Sequence, residues 1–227
     1  MSDARTILFD LDGTLTDSRP GILRSTRYAL RRLNEETGAA LPIPEEDALG
    51  YMIGPPLRES FAGLAGPERA EAMLGFYRER YVEIGMFENT VFDGVPESLA
   101  ALRAAGYRLF VATSKNEADA RRVLDHFGLA KYFNEIYGAQ SDGGRAVKSD
   151  LIDFLLTRER IKASPRDVAM IGDRKYDVMG AKAVGIAAMG ALWGYGDRAE
   201  LSLAGADSLI ETPQGIPAAV EALLGRS

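Results

Sequence analysis

From residue 91 onward the chain alternates short apolar runs with amphipathic segments, and this alternation limits the available folds more than any other feature. "VPESLAALRAAG" reads as a helix stopped at Gly106, "YRLFVATS" as a buried strand, and "EADARRVLDHFG" as a second helix. A strand near "FNEIYGA", a helix through "SDLIDFLLTRER", the strand "DVAMIGD" and the helix "VMGAKAVG" continue the series. The strand "IAAMG", the weaker strand "SLIE" and a helix ending at Leu224 complete it. Strands that are apolar on both faces and separated by helices belong to a parallel sheet covered on both sides.

The chain also opens on an apolar strand, Ile7 to Phe9, whereas residues 17–88 read as helical. Ile22, Thr26, Ala29, Leu30 and Leu33 recur at helical spacing, as do Leu74, Tyr77, Tyr81 and Ile84. "LPIPEED" and "IGPPLRESF" interrupt these helices with prolines suited to loops or first turns. The expected fold class is therefore α/β: a Rossmann-like doubly wound parallel sheet core, residues 1–16 and 89–227, with an all-helical domain, 17–88, inserted after the first strand. The glycine-rich "GAQSDGG" reads as a loop.

A chain of 227 residues can bury the core such a fold needs. Its 27 Lys+Arg against 33 Asp+Glu leave a net charge of −6, which weighs against nucleic acid as a partner. No cysteine is present, so disulfides, zinc–thiolate sites and cysteine nucleophiles are excluded. His126 is the only histidine, which excludes three-histidine zinc sites; near the end of a helix in "LDHFGLA", it suits a structural role beside the helix dipole. Chemistry must rest on carboxylates, hydroxyls, lysine, arginine and metal. The opening "MSDARTILFD" is not a charged leader followed by a long apolar core, and no segment approaches a membrane span, so the expectation is a cytoplasmic protein without a membrane partner.

Ligands of open parallel sheets bind beyond the carboxyl ends of the strands, where strand order reverses. The first strand ends in "ILFDLDGTLTDS", with Asp10 and Asp12 one residue apart and sharing a face by strand periodicity. "LFVA" ends in Thr113 and Ser114, and "VAMI" in Gly172 and Asp173, with Asp177 four residues on; Lys148 follows the glycine-rich loop. Each has an ordinary structural reading. Asp12-Gly13 can be a turn, Thr113-Ser114 a helix N-cap, Asp173 a cap, Asp177 a solvated charge and Lys148 an exposed lysine. Their joint placement at one sheet edge is what points to a site.

"DLDGTLTDS", "VATSK", Lys148 and "GDRKYD", in this order, resemble the four motifs of the haloacid dehalogenase superfamily. They are most similar to its phosphoglycolate-phosphatase-like branch, which carries a helical cap after the first motif. Two departures stand out: the lysine lies in "AVKSDLI" rather than beside the usual proline, and Arg174 replaces the common serine of the fourth motif. The resemblance implies a phosphatase: a Mg²⁺-dependent phosphomonoester hydrolase acting on a small phosphorylated metabolite through an aspartyl-phosphate. By position Asp10 would be the nucleophile and Asp12 the general acid and base. Mg²⁺ ligands would be the Asp10 side chain, the Asp12 backbone carbonyl and Asp173, with Asp177 in or near the layer behind them. Lys148 and Thr113 would hold phosphoryl oxygens, aided by backbone N–H groups beside Ser114, with Gly13 letting the chain turn closely around the site.

Dehalogenases of the superfamily lack an acid at the position of Asp12, which separates this chain from them. A 5′-nucleotidase or a sugar-phosphate mutase of the same superfamily stays open, since cap contacts set the substrate and the acceptor. In the cap segment "IGPPLRESF", Arg58 is the candidate contact for the non-phosphate part of the substrate. From other classes, a non-catalytic phosphate- or metal-binding module fits the same residues, and "GYGDRA" matches G-x-G-x-x-A with Glu211 17 residues after Gly194. The dinucleotide fingerprint, however, should open a long helix, and "DRAELSLAGAD" closes at glycine. Trp193 carries no assigned chemistry. Substrate identity and oligomeric state are left open by the sequence.

Overall fold

The structure, a computed structural model, describes residues 5–53, 57–140 and 144–225. Gly54 to Pro56 of the "IGPPLRESF" segment and Ser141 to Gly143 of the glycine-rich loop lie outside the described residues. The chain divides into two compact units, Met1–Asp17 with Val91–Ser227, and Ser18–Thr90.

In the first unit, among the described residues, six parallel strands form one sheet. They are β1 (Thr6–Phe9), β4 (Arg108–Asn116), β5 (Glu135–Ala139), β6 (Val168–Gly172), β7 (Ala187–Ala191) and β8 (Ser208–Ile210), in the order β5-β4-β1-β6-β7-β8. Two-residue strands β2 (Thr16–Asp17) and β3 (Thr90–Val91) pair separately. Every residue of β1, β6 and β7 is buried, as two-sided coverage requires. The helices are α4 (Val95–Ala104), α5 (Glu117–His126), α6 (Lys148–Arg158), α7 (Lys175–Ala183), α8 (Arg198–Leu203) and α9 (Ile216–Leu224). The chain steps from β1 to β4 to β5 in one direction and then returns to β6 on the other side of β1. Right-handed crossovers therefore put α5 and α6 on opposite faces of the sheet. On the α6 face, Leu8, Phe110, Ala112 and Met170 pack with Leu151, Ile152 and Leu155 of α6 and Val178 and Ala181 of α7. Fully burying such a side chain stabilises the fold by roughly 1.5–3 kcal/mol. Ile7 and Phe9 point the other way along β1, where Phe9 meets Phe133 edge-on at 6.0 Å.

The reversal falls at β1. Phe9 pairs with Val111 of β4 on one side and Ile171 of β6 on the other, so three strand ends meet side by side. The Asp10 N–H donates to the Ile171 carbonyl at 2.9 Å, closing the sheet just before the chain turns out.

The second unit is helical: α1 (Arg19–Thr37), α2 (Leu57–Ala65) and α3 (Ala70–Tyr81), with 3₁₀ turns at Glu46–Met52, Pro67–Arg69 and Gly85–Phe87. Pro20 sits in the first turn of α1, and Gly38 ends that helix at φ 69°, donating to the Asn34 carbonyl. Tyr77 packs on Phe61 (5.5 Å between centroids) and stacks on Tyr81 (5.0 Å). Arg80 grips both oxygens of Glu88 at 2.7 and 2.9 Å, and this hydrogen bonding holds the Glu88 carboxyl below the usual carboxylate range. The periodicity expected for α3 shifts: its buried face is Ala70, Met73, Tyr77 and Tyr81, while Leu74 is only partly buried and Ile84, beyond the end of the helix, is 53% exposed.

Candidate active site

The end of β1 and the start of α7 bring three acids together. Single carboxylate oxygens of Asp10, Asp173 and Asp177 all lie within 4.8 Å of one another. Lys148, the first residue of α6, reaches into this group: its Nζ is 3.1 Å from Asp10 Oδ1 and 2.8 Å from Asp177 Oδ1. It also donates to the carbonyl of Ala112, next to Thr113 on β4. The exposed-lysine reading fails here, because Lys148 is buried. Burial alone would lower its pKa, but the two carboxylates outweigh that and hold the ammonium charged well above its ordinary range.

Asp177 is buried as well, so it is not a solvated charge. Its Oδ2 accepts from the Arg174 N–H at 3.1 Å, which makes Asp177, rather than Asp173, the acid that caps α7. Asp173 is fully buried and held from two sides: Thr14 Oγ1 donates to Oδ1 at 3.1 Å and the Tyr195 N–H to Oδ2 at 2.8 Å. Burial, then the charges of Asp177 and Asp10, push the Asp173 carboxyl well above the usual carboxylate range. Asp10 rises to about 6, chiefly by burial and against the pull of Lys148.

These features suit a cation. Asp10 Oδ1 and Asp177 Oδ1 are buried without a hydrogen-bond partner, although the lysine charge lies beside both. Three clustered carboxylates with one ammonium between them leave uncompensated negative charge, and all the donors are hard oxygens of the kind Mg²⁺ takes.

The surrounding chain is fitted closely to the acids. Gly13 lies at φ 86°, in the left-handed region, and a Cβ there would fall 2.3 Å from Asp173 Oδ2. A Cβ on Gly194 would fall 2.3 Å from Asp173 Cβ and 2.4 Å from the Gly13 carbonyl oxygen, and Gly196 donates its N–H to the Asp173 carbonyl. The glycines of "GYGDRA" thus let the chain run against Asp173. The helix after them, α8, has only six residues and is capped by Asp197, which removes the dinucleotide reading. Trp193 Nε1 donates to the Thr14 carbonyl at 3.0 Å, and the Tyr195 hydroxyl to Asp17 Oδ1 at 3.0 Å.

The remaining expected residues fall in different settings. Thr113 is buried in β4, just before the ladder shifts register, and its Oγ1 accepts from the Lys115 N–H at 3.2 Å. Ser114 is exposed, and neither residue caps α5: Asn116 does, accepting from Ala118 and Asp119. β4 runs two residues past the expected strand, to Asn116. The Asp12 side chain does not join the three-acid cluster; it pairs with Lys115, whose Nζ lies 2.9 Å from Oδ2. Arg58 belongs to the second unit, where it pairs with Glu71 at 2.9 Å and its side chain is 66% exposed. Arg174, the departure from the usual serine, pairs with Glu200 at 2.8 Å, so it braces the loop after β6 against α8. His126 ends α5, is exposed, and lies edge-on to Phe127. Sequence reasoning missed Thr14, Lys115 and the Tyr195 N–H; Thr14 and Lys115 stood inside quoted motifs, while a backbone donor leaves no residue signal.

Comparison with known proteins agrees with this geometry. Residues 7–191 match the family described as haloacid dehalogenase-like hydrolase. A 5′-nucleotidase of Pseudomonas aeruginosa is 44% identical over 197 residues, covering 86% of each chain. The tyrosine-protein kinase PtkA of Mycobacterium tuberculosis is 44% identical over 190 residues, covering 84% of this chain but only 62% of the relative. The crystal structure of a "predicted phosphatase" of Clostridium acetobutylicum superposes with a TM-score of 0.88 at 36% identity, covering 97% of this chain and 100% of that one. No helix among the described residues is long and apolar enough to cross a membrane. With its four motifs converging on one sheet edge and the family match spanning most of its length, this chain belongs to the haloacid dehalogenase-like hydrolases.

Proposed function

We propose that this protein is a Mg²⁺-dependent phosphomonoester hydrolase that works through an aspartyl-phosphate on Asp10. The observation that carries the proposal is the buried group of Asp10, Asp173 and Asp177 around Lys148, with two carboxylate oxygens lacking a hydrogen-bond partner. Mg²⁺ held by Asp10, Asp173 and the Asp12 carbonyl, with Asp177 behind or among the ligands, would supply positive charge against the phosphoryl oxygens. The free carboxylate oxygen of Asp10 attacks phosphorus as the bond to the leaving oxygen breaks. Asp12 gives that oxygen its proton and then takes one from the water that hydrolyses the acyl-phosphate, so the enzyme returns to its starting state. Lys148 neutralises Asp10 and Asp177, and with Thr113 and the N–H groups near Ser114 it positions the phosphoryl oxygens.

The substrate proposed is a small phosphorylated metabolite, selected by the inserted unit, 18–90, with Arg58 as its candidate contact. Phosphoglycolate and sugar phosphates stay in the set. The 44% identity to a protein named 5′-nucleotidase favours a nucleoside monophosphate as the second reading. Turnover of a panel holding phosphoglycolate, 5′-nucleotides and sugar phosphates, with Mg²⁺ and after chelation, tests all of these. Expected are Mg²⁺-dependent phosphate release and, for Asp10→Asn, loss of both turnover and acid-trapped phosphoenzyme. Full activity of Asp10→Asn, or activity indifferent to chelation, would overturn the proposal.

A further inference from the structure

Lys115 is a partly buried lysine to which the proposed reaction gives no task. Its side chain is 7% exposed, and its Nζ lies 2.9 Å from Asp12 Oδ2 and 3.2 Å from Oδ1, so one ammonium engages both oxygens of a carboxylate 103 residues away. Burying an ammonium is costly unless it is paired, and here the backbone departs from regular pairing where the lysine is placed. Along β4, Thr113 pairs with Gly138 and Asn116 with the very next residue of β5, Ala139. Ser114 and Lys115 are therefore extra residues bulged out of the ladder, a device that re-aims side chains beside active sites. The N–H of Lys115 is also tied to Thr113 Oγ1 at 3.2 Å, which fixes where the bulge departs from the strand.

We propose that Lys115 is a positioning residue for Asp12: held by the bulge at 113–116, its ammonium fixes the Asp12 carboxyl group and aims it at the leaving-group oxygen. The inference rests on the phosphatase reading. In that step the P–O bond to the leaving group breaks, its electron pair stays on oxygen, and the proton on Asp12 moves to that oxygen. Lys115 neither gains nor loses a proton. A carboxyl free to swing would deliver its proton less often, and the loss would fall on esters whose leaving oxygen needs the proton most.

The test is leaving-group dependence, measured as kcat/KM on p-nitrophenyl, phenyl and benzyl phosphate, three esters with a common ring and progressively poorer leaving oxygens. In Lys115→Met, kcat/KM should fall about 100-fold on benzyl phosphate and no more than about 3-fold on p-nitrophenyl phosphate. Asp12→Asn should show the same tilt, and the double variant should be no worse than Asp12→Asn alone. Lys115→Arg, which keeps the cation, should restore a shallow dependence. If Lys115→Met does not fold, Lys115→Gln, which keeps an N–H donor, carries the same comparison. An equal loss on all three esters, or losses that add to those of Asp12→Asn, would overturn the positioning role. Absence of phosphate release from all three esters by the wild-type protein with Mg²⁺ would instead overturn the phosphatase reading itself, so the two failures are separable.

Discussion

Asp10→Asn should make the metal-free protein more stable. The Asp10 carboxyl titrates at about 6 against an ordinary 3.8, because burial and the charges of Asp177 and Asp12 outweigh the help of Lys148. Between those two values the native state holds a proton that the unfolded chain has released, so stability falls as pH rises through that interval. At about 1.4 kcal/mol per pH unit, the full cost above the native value is at most ~3 kcal/mol. Asparagine keeps the shape without the charge, and Lys148 retains Asp177 as a partner at 2.8 Å. Urea unfolding in the presence of chelator at about pH 7.5 should therefore find the variant more stable by up to ~3 kcal/mol with an unchanged m-value. Below about pH 3 the two proteins should converge, since Asp10 is then neutral in both states. Added Mg²⁺ should narrow the gap at the higher pH by stabilising the wild type more than the variant, which lacks the Asp10 carboxylate as a ligand. A variant that is less stable than wild type at both pH values would refute the claim that ionised Asp10 is held at a cost.

Two further outcomes follow from the packing and from the inserted unit. Gly194→Ala forces a Cβ to 2.3 Å from that of Asp173. It should cost ~1–3 kcal/mol of stability and weaken Mg²⁺ binding at least about ten-fold, by thermal melting and titration calorimetry; unchanged values of both would show that the close approach is absent. Arg58→Ala, which breaks only an exposed pair with Glu71, should alter stability by less than about 0.5 kcal/mol while changing the ranking of substrates in the phosphomonoester panel. An unaltered ranking would remove Arg58 from substrate contact.

The parallel core was legible because continuous apolar strands and amphipathic helices have different periods, and because ligands gather where strands end. Asp10, Asp173, Asp177 and Lys148 were readable for the same reason: each stands at a strand end or a helix start, positions that local pattern marks. Lys115 and Thr14 were not, since their partners lie 103 and 159 residues away and no periodicity links them. The bulge that carries Lys115 also hid the true cap of α5, because "TS" and "N" are all good cap residues and only the extra length of β4 decides between them. In α3 the spacing through Ile84 ran on because valine and isoleucine continue an apolar pattern after the hydrogen-bonded helix has stopped at Tyr81.

The strap from Trp193 to Gly196 has no slack. Its indole holds the Thr14 carbonyl, its two glycines touch Asp173, and its tyrosine grasps Asp173 with the main chain and Asp17 with the ring. An inserted or deleted residue there would unseat the carboxylate and the exit of the first strand together. The length of these four residues is therefore as constrained as the identity of the two glycines among them.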